Sequence, residues 1–73
     1  HTQQFDIVRD YLREVGAATA FETKNRQFPK VRSAVEDMMA LGETIAHLSW
    51  LRYAGEVRRV LDDDGLYRFS LAN

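Results

Sequence analysis

Apolar residues recur at every third or fourth position near the start of the chain, at Phe5, Val8, Leu12 and Val15. This spacing places the four side chains on one face of an amphipathic helix. Charged residues fill the opposite face, and Gly16 stands where a left-handed C-terminal cap is expected. The pattern predicts a first helix over residues 2–15.

A Thr-x-x-Glu pattern indicates that a second helix starts at Thr19. We expect the Thr19 hydroxyl to accept from the backbone N–H of Glu22 while the Glu22 carboxylate reaches back, which is a capping box. Pro29 disfavours helical geometry at Phe28, so this helix is predicted to end nearby. We expect Phe21 and Phe28 to contact the core.

The same pattern returns at Ser33 and Glu36 and predicts a third helix from about residue 33 to 54. Its predicted core stripe has spacings of three and four and consists of Val35, Met38, Leu41, Ile45, Leu48 and Leu51. Gly42 lies inside this helix and costs about 1 kcal/mol relative to alanine, unless another element approaches there or the helix bends. Gly55 supplies the stop.

Two β-prone runs at 56–61 and 66–71 follow, joined by Asp-Asp-Asp-Gly at 62–65. An Asp-Gly turn between such runs is a strong hairpin signal. Alternation places three apolar side chains of the second run on one face, where we expect them to cover the helices: Tyr67, Phe69 and Leu71.

This order of elements predicts a mainly helical α+β domain of the winged helix-turn-helix type, with three helices and a C-terminal wing of two or three strands. Residues 17–19 are the candidate for the short third strand. Because 73 residues leave room for one core, we expect a single domain over 1–73. The chain starts with His1 in place of Met, and we expect it to be a C-terminal fragment of a larger protein.

The charge balance gives a net charge of -1, so the domain as a whole has no long-range attraction for phosphate backbones. The absence of cysteine excludes disulfides and thiolate chemistry and suits a cytoplasmic protein. No apolar run has the length that a membrane helix needs, and we expect no membrane partner.

The sequence offers no catalytic constellation, and we predict that the fragment is not an enzyme. Only His1 and His47 are histidines, and Glu43 with His47 provides at most two metal ligands on one helical face. Ser49 and His47 are two residues apart on a helix and point in different directions. The aspartates at 62–64 lack the spacing of an EF-hand, and no phosphate-binding glycine loop is present.

DNA binding is the function that the predicted fold raises, with the third helix as recognition helix and the hairpin as wing. The candidate nucleic-acid contacts are Lys24, Arg26, Lys30, Arg32, Arg58 and Arg68. Acidic residues in the first half of the third helix and at the tip of the wing repel phosphates, so we do not favour this alternative. A surface on which the basic residues pair with nearby acids is the competing interpretation.

Two aromatic residues and a histidine lie on or beside the outer side of the third helix: His47, Trp50 and Tyr53. Either Trp50 completes the core under the hairpin, or it contacts another domain or subunit, because exposed aromatic patches mark interfaces.

The third helix also carries a family pattern, with Gly-Glu-Thr at 42–44 and Ala-His-Leu at 46–48, followed by Gly-Glu-Val at 55–57. With the Thr-Ala-Phe-Glu start of the second helix, this segment resembles the C-terminal winged-helix domain of metallo-β-lactamase-fold hydrolases of the glyoxalase II-like group. The resemblance covers most of the chain.

The resemblance implies a non-catalytic accessory module that packs on a metal-dependent hydrolase domain, shapes the edge of its substrate site and mediates dimerisation. The implied interdomain contacts are Gly42, His47, Trp50 and Tyr53. In that family a His-rich HxHxDH motif upstream of the module holds the metals, and this chain has no such motif. Zinc or another divalent metal is therefore expected only in a missing N-terminal catalytic domain, and no cofactor is expected in this fragment.

Overall fold

The computed structural model describes residues 2–72, which form three helices and three short strands. In chain order these are α1 (Thr2–Val15), β1 (Ala18–Thr19), α2 (Ala20–Gln27), α3 (Ala34–Tyr53), β2 (Val57–Leu61) and β3 (Tyr67–Leu71). Every predicted element is present within about one residue of its predicted bounds, except that the end of α2 was predicted only approximately.

The helix starts follow from local capping chemistry. At α2 the Thr19 hydroxyl accepts from the Glu22 amide at 3.1 Å and the Glu22 carboxylate accepts from the Thr19 amide at 2.9 Å, so the predicted capping box is complete. At α3 the Ser33 hydroxyl accepts from the Glu36 amide at 3.1 Å. The Glu36 carboxylate instead accepts from the amide of Arg32, one residue before the cap, so this predicted box is only half formed.

The three strands form an antiparallel sheet in the order β1-β3-β2. Phe69 of the central strand is opposite Ala18 on one side and Arg59 on the other. In the hairpin turn the Asp62 carboxylate accepts from the amides of Asp64 and Leu66, at 2.9 and 3.0 Å. These bonds form an Asx-type turn, which explains why the aspartate run makes a tight hairpin.

The core lies between α1, the second half of α3 and the inner face of the sheet. Its buried members are Val8, Leu12, Ala18, Leu48, Leu51, Val57 and Phe69. Arg9 connects the outer side of α1 to the start of the hairpin, because its guanidinium donates two hydrogen bonds to the Glu56 carboxylate at 2.8 and 3.1 Å. Three helices and a small sheet in this order give the predicted α+β fold with a winged-helix-like layout.

The predicted core stripe of α3 is wrong in its first half. The buried residues of this helix are Ala40, Thr44, Leu48 and Leu51, whereas Val35, Met38 and Ile45 are exposed and Leu41 is half-buried. The error arises because α3 is apolar on more than one side, so that a spacing of three and four fits several faces. Gly42 has open space around it, and no other element approaches it.

Three smaller expectations about the core are also corrected. Phe21 is exposed rather than in the core, because the inward side of α2 carries Ala20, Thr23 and Gln27 instead. Phe28 is half-buried. Val15 is exposed at the end of α1. On β3 the residues Phe69 and Leu71 pack on the helices as expected, but Tyr67 is about half exposed.

Candidate interaction surface

The outer face of α3 is an apolar feature that the fold leaves uncovered. Its members are spaced by three or four residues and therefore share one side of the helix. They are Val35, Met39, Gly42, Ala46, Trp50 and Tyr53, all of them exposed. We use the name outer face for this set.

The outer face lies on the same helix as the inner stripe that ends at Leu48 and Leu51. A helix that is apolar all round is normally buried on all sides, either in a large core or between two bodies. Among residues 2–72 the inner stripe is buried, whereas the outer face stays exposed apart from one contact of Trp50 with Phe5. Tyr53 is 90% exposed and Trp50 is 61% exposed, and large aromatic side chains left bare in a contiguous patch are typical of an interface.

The middle of the outer face is shallow, because Gly42 and Ala46 are its smallest members. Apart from its chain neighbours and the local helix backbone, no described atom lies within 4 Å of the position that a Cβ atom would take at Gly42. A partner element can therefore approach the α3 backbone closely at this point. The large side chains at both ends of the face would flank such a partner.

Trp50 is held at the edge of the outer face by an aromatic contact with α1. The ring centroid of Phe5 lies 6.4 Å from that of Trp50 with the planes tilted by 31°. It also lies 5.2 Å from the His47 ring in an edge-on arrangement. One side of the Trp50 indole is thus fixed against the domain, and the other side remains exposed to solvent.

His47 faces a polar network and not the open surface. Its Nδ1 lies 3.0 Å from Nε2 of Gln27, and the same amide nitrogen donates to the side chain of Gln4 at 2.9 Å. The Gln27 amide oxygen accepts from the Thr44 hydroxyl at 2.9 Å. Because an amide nitrogen donates, Nδ1 of His47 is the acceptor in this contact. The hydrogen bond of His47 is thus to Gln27, and not to the neighbouring Glu43.

The implied interdomain contacts are therefore divided by the structure. Gly42, Trp50 and Tyr53 lie together on the outer face, while His47 is half-buried beside it. Sequence reasoning missed Met39 and Ala46 and assigned Val35 to the core. The signal that was available is that apolar residues follow two sides of α3, which indicates two packing surfaces on one helix.

Three of the candidate nucleic-acid contacts are engaged in ion pairs. Lys24 is 2% exposed and pairs with Asp37. Arg26 bonds Glu14 at 3.0 Å and lies over the Tyr11 ring. The guanidinium of Arg26 lowers the pKa of Glu14 below its ordinary value.

Arg68 bonds Asp62 at 2.6 Å and approaches Glu22 at 3.6 Å. The backbone amide of Leu66, and after it the Arg68 guanidinium, lower the pKa of the Asp62 carboxyl. The remaining candidates, Lys30, Arg32 and Arg58, are exposed. Among residues 2–72 these three have no carboxylate oxygen within 4.0 Å.

Within the part of the chain that the structure describes, no group of three or more His, Cys, Asp or Glu residues is arranged to hold a metal ion. None of the helices over residues 2–72 is long and apolar enough to cross a membrane. His1 was weighed as a metal ligand from the sequence and lies outside the described residues.

Comparison with known proteins places this fold in a family. None of the curated proteins matches the chain. Among solved structures, the crystal structure of a beta-lactamase domain protein from Burkholderia ambifaria superposes with a TM-score of 0.89 at 32% sequence identity over 99% of this chain. The chain spans only 21% of the length of that protein. The family model of the metallo-beta-lactamase-like C-terminal domain matches residues 8–72, and the chain therefore belongs to this family.

Proposed function

We propose that the chain is a non-catalytic accessory domain that packs, through the outer face of α3, on the metal-dependent hydrolase domain of a parent protein. The observation that carries this proposal is the apolar outer face of α3 with its exposed Trp50 and Tyr53. Family membership supports it, because the family is named for a C-terminal domain. The partner is thus a domain of the same protein.

The proposal assigns different parts of the chemistry to different domains. A metal-dependent hydrolase needs a converging set of metal ligands, and these would belong to the catalytic domain together with zinc or another divalent ion. The similar protein from Burkholderia ambifaria is about five times as long as this chain, since the chain spans 21% of it. That length leaves room for a catalytic domain beside a module of this size.

The shape of the outer face fits a close interdomain contact. Trp50 and Tyr53 would be the anchoring side chains, since buried aromatic residues contribute most of the energy of many interfaces. Gly42 and Ala46 would allow an element of the catalytic domain to cross α3 near its backbone. In that position the domain would form part of the edge of the substrate site. A dimer formed through the same face is the alternative outcome.

The arrangement of charges supports this role over DNA binding. Phosphate binding depends on basic side chains that release counterions from the nucleic acid. Lys24, Arg26 and Arg68 already have carboxylate partners in the domain. The wing tip carries three aspartates, which repel a phosphate backbone.

The test compares the isolated chain with its full-length parent, identified by reading the coding sequence upstream of residue 1. Because the chain has no cysteine, a single Ala46→Cys variant reports on the outer face and Asn25→Cys on the exposed side of α2. Thiol labelling is followed by mass spectrometry on the peptides that cleavage after glutamate releases, residues 23–36 and 44–56. We expect Ala46→Cys to label at least about tenfold more slowly in the parent than in the isolated chain, since burial limits thiol access.

Asn25→Cys should label at similar rates in both proteins. Equal rates for Ala46→Cys in the parent and the isolated chain would contradict the proposal. Protection that appears in the isolated chain and grows with its concentration would instead show self-association through this face. An upstream sequence without a metal-ligand motif would remove the hydrolase partner.

A further inference from the structure

A second apolar feature lies on another side of the domain, between the first turn of α2, the middle of α3 and the hairpin. It is a groove with a volume of about 620 Å³. Its lining includes Phe21, Leu41, Ile45, Leu66, Tyr67 and Arg59. We call it the wing groove. A volume of this size lies within the range of sites that hold ligands.

The walls of the wing groove are uncovered apolar side chains from three separate elements. The residues, which come from α2, α3 and the hairpin, are each about half exposed: Phe21, Ile45, Leu66 and Tyr67. At about 100° per residue, Ile45 lies about 140° around the helix from Trp50 but only about 60° from Gly42, so the wing groove borders one edge of the outer face. The two surfaces share no residue, and the walls at Phe21, Leu66 and Tyr67 need a contact of their own to be covered.

Some charged side chains of the groove have ion-pair partners within the domain and others do not. Glu22 accepts the Thr19 amide at 2.9 Å and lies 3.6 Å from Arg68, and Arg68 is bonded to Asp62 at 2.6 Å. Arg59 differs, because within residues 2–72 no carboxylate oxygen lies within 4.0 Å of it. Among the described residues, Arg59 is therefore the one cation of the groove without an ion-pair partner.

The Arg59 guanidinium lies over the Tyr67 ring, 4.1 Å from its centroid. This stacking holds a planar fork of N–H donors at the wall of the groove. A carboxylate is the ligand that such a fork binds through two parallel hydrogen bonds. The exposed rings and aliphatic chains beside it favour large apolar groups.

We propose that the wing groove is a docking site for a peptide segment of a partner protein in which a carboxylate lies beside large apolar side chains. The carboxylate pairs with Arg59, and the apolar side chains pack on Phe21, Ile45 and Tyr67. A nucleic acid fits this surface less well, because Arg59 is the only described basic residue of the lining without a carboxylate partner, and a phosphate backbone is bound by several basic side chains. The proposal uses none of the outer-face residues and does not depend on the accessory role.

The test uses two short synthetic peptides, one of alternating leucine and glutamate and one of alternating leucine and lysine. Amide resonances of the 73-residue chain are followed by NMR during titration. We expect the glutamate peptide to shift the resonances of Phe21, Ile45 and Leu66 and to bind at least about tenfold more weakly to Arg59→Glu, as expected when a close charge pair is reversed. The lysine peptide should bind Arg59→Glu more tightly than the unchanged chain.

Arg58→Glu is the matched control, because Arg58 is the neighbouring exposed arginine on the opposite side of β2 and does not line the groove. It should bind the glutamate peptide like the unchanged chain. Arg59→Gln provides a second variant of neutral charge with an intermediate affinity.

Equal binding of the two peptides by the unchanged chain would overturn the proposal. So would shifts confined to the outer face, an Arg59→Glu variant with full affinity, or tighter binding of a single-stranded oligonucleotide than of the glutamate peptide.

Discussion

The hydroxyl of Thr44 donates a hydrogen bond of 2.9 Å to the side-chain oxygen of Gln27, and both side chains are buried. This bond joins α3 to α2 at the point where the helices pack. The other end of the Gln27 amide bonds Gln4 and faces His47, so the polar atoms of the Gln27 side chain all have partners. Three helices are thus connected through one amide group.

The Thr44→Val substitution keeps the shape of the side chain and removes the donor to Gln27. We expect it to lower the free energy of unfolding by about 1–3 kcal/mol, because a buried amide oxygen loses its partner. Urea unfolding measures this. The control is a double-mutant cycle with Gln27→Met, in which the two effects should be coupled by at least about 0.5 kcal/mol. Additive effects would show that the bond contributes nothing.

The pair formed by Lys24 and Asp37 predicts unequal effects for its two partners. Asp37→Asn leaves the buried ammonium of Lys24 without its counterion. Because Asp37 is partly exposed, we expect a loss of about 2 kcal/mol, between the values for exposed and fully buried pairs. Lys24→Met should cost less, since it removes the buried charge together with the need for a partner. Equal losses in urea unfolding would contradict this explanation.

Substitution by alanine should change the stability of the domain in opposite directions at Gly42, inside α3, and at Gly55, just after its end. Gly42→Ala should stabilise the isolated chain by about 1 kcal/mol, because alanine favours a helix interior and has open space there. Gly55→Ala should destabilise it by about 1–2 kcal/mol, because Gly55 has a φ of +82°. Thermal unfolding of both variants measures the difference. A stabilised Gly55→Ala would be inconsistent with the left-handed end of α3.

The hairpin turn should make stability depend on pH through Asp62. Its pKa in the folded chain is lowered by the Leu66 amide and by Arg68. Ionised Asp62 therefore stabilises the fold above the unfolded pKa of about 3.9, and this contribution is lost as the pH falls through the lower folded pKa. We expect Asp62→Asn, which keeps the turn acceptor, to be less stable than the unchanged chain near neutral pH and equal to it in acid. A difference that is constant with pH would argue against this ionisation effect.

Leu48 and Ile45 differ in their role although the same apolar spacing includes both. Leu48 is 0% exposed and Ile45 is 46% exposed. We expect Leu48→Ala to cost about 2–5 kcal/mol, as for a fully buried leucine, and Ile45→Ala to cost about 0.5 kcal/mol. Chemical denaturation of the two variants checks this. Similar losses would contradict the burial seen in the structure and support the core stripe that the sequence predicts.

The helix and strand bounds could be predicted because they depend on short-range chemistry. Thr19 and Ser33 cap their helices through hydroxyl oxygens three residues from the amides they accept from, and the aspartate turn closes the hairpin locally. The buried side of α3 could not be predicted in the same way. Its apolar residues occupy several sides, so the choice of Thr44 over Ile45 depends on where α2 crosses the helix.

The candidate site was predicted in part for the same reason. The sequence singles out Trp50 and Tyr53 because they lie away from the predicted core stripe of α3, and both are exposed in the structure. Met39 and Ala46 were missed, since nothing in their local sequence separates an outer from an inner position. The wing groove was missed because Phe21, Ile45 and Tyr67 come together only in the folded chain.

The two apolar sides of α3 have a thermodynamic consequence. A partner that binds only the folded domain raises its stability in proportion to the logarithm of the partner concentration over the dissociation constant. When the partner is joined to the same chain, its effective concentration reaches the millimolar range. Dissociation of the partner from the outer face and unfolding of the core around Leu48 are then linked equilibria. Under the proposed accessory role, a substitution that weakens the inner side of α3 is expected to weaken the contact between the outer face and the catalytic domain as well.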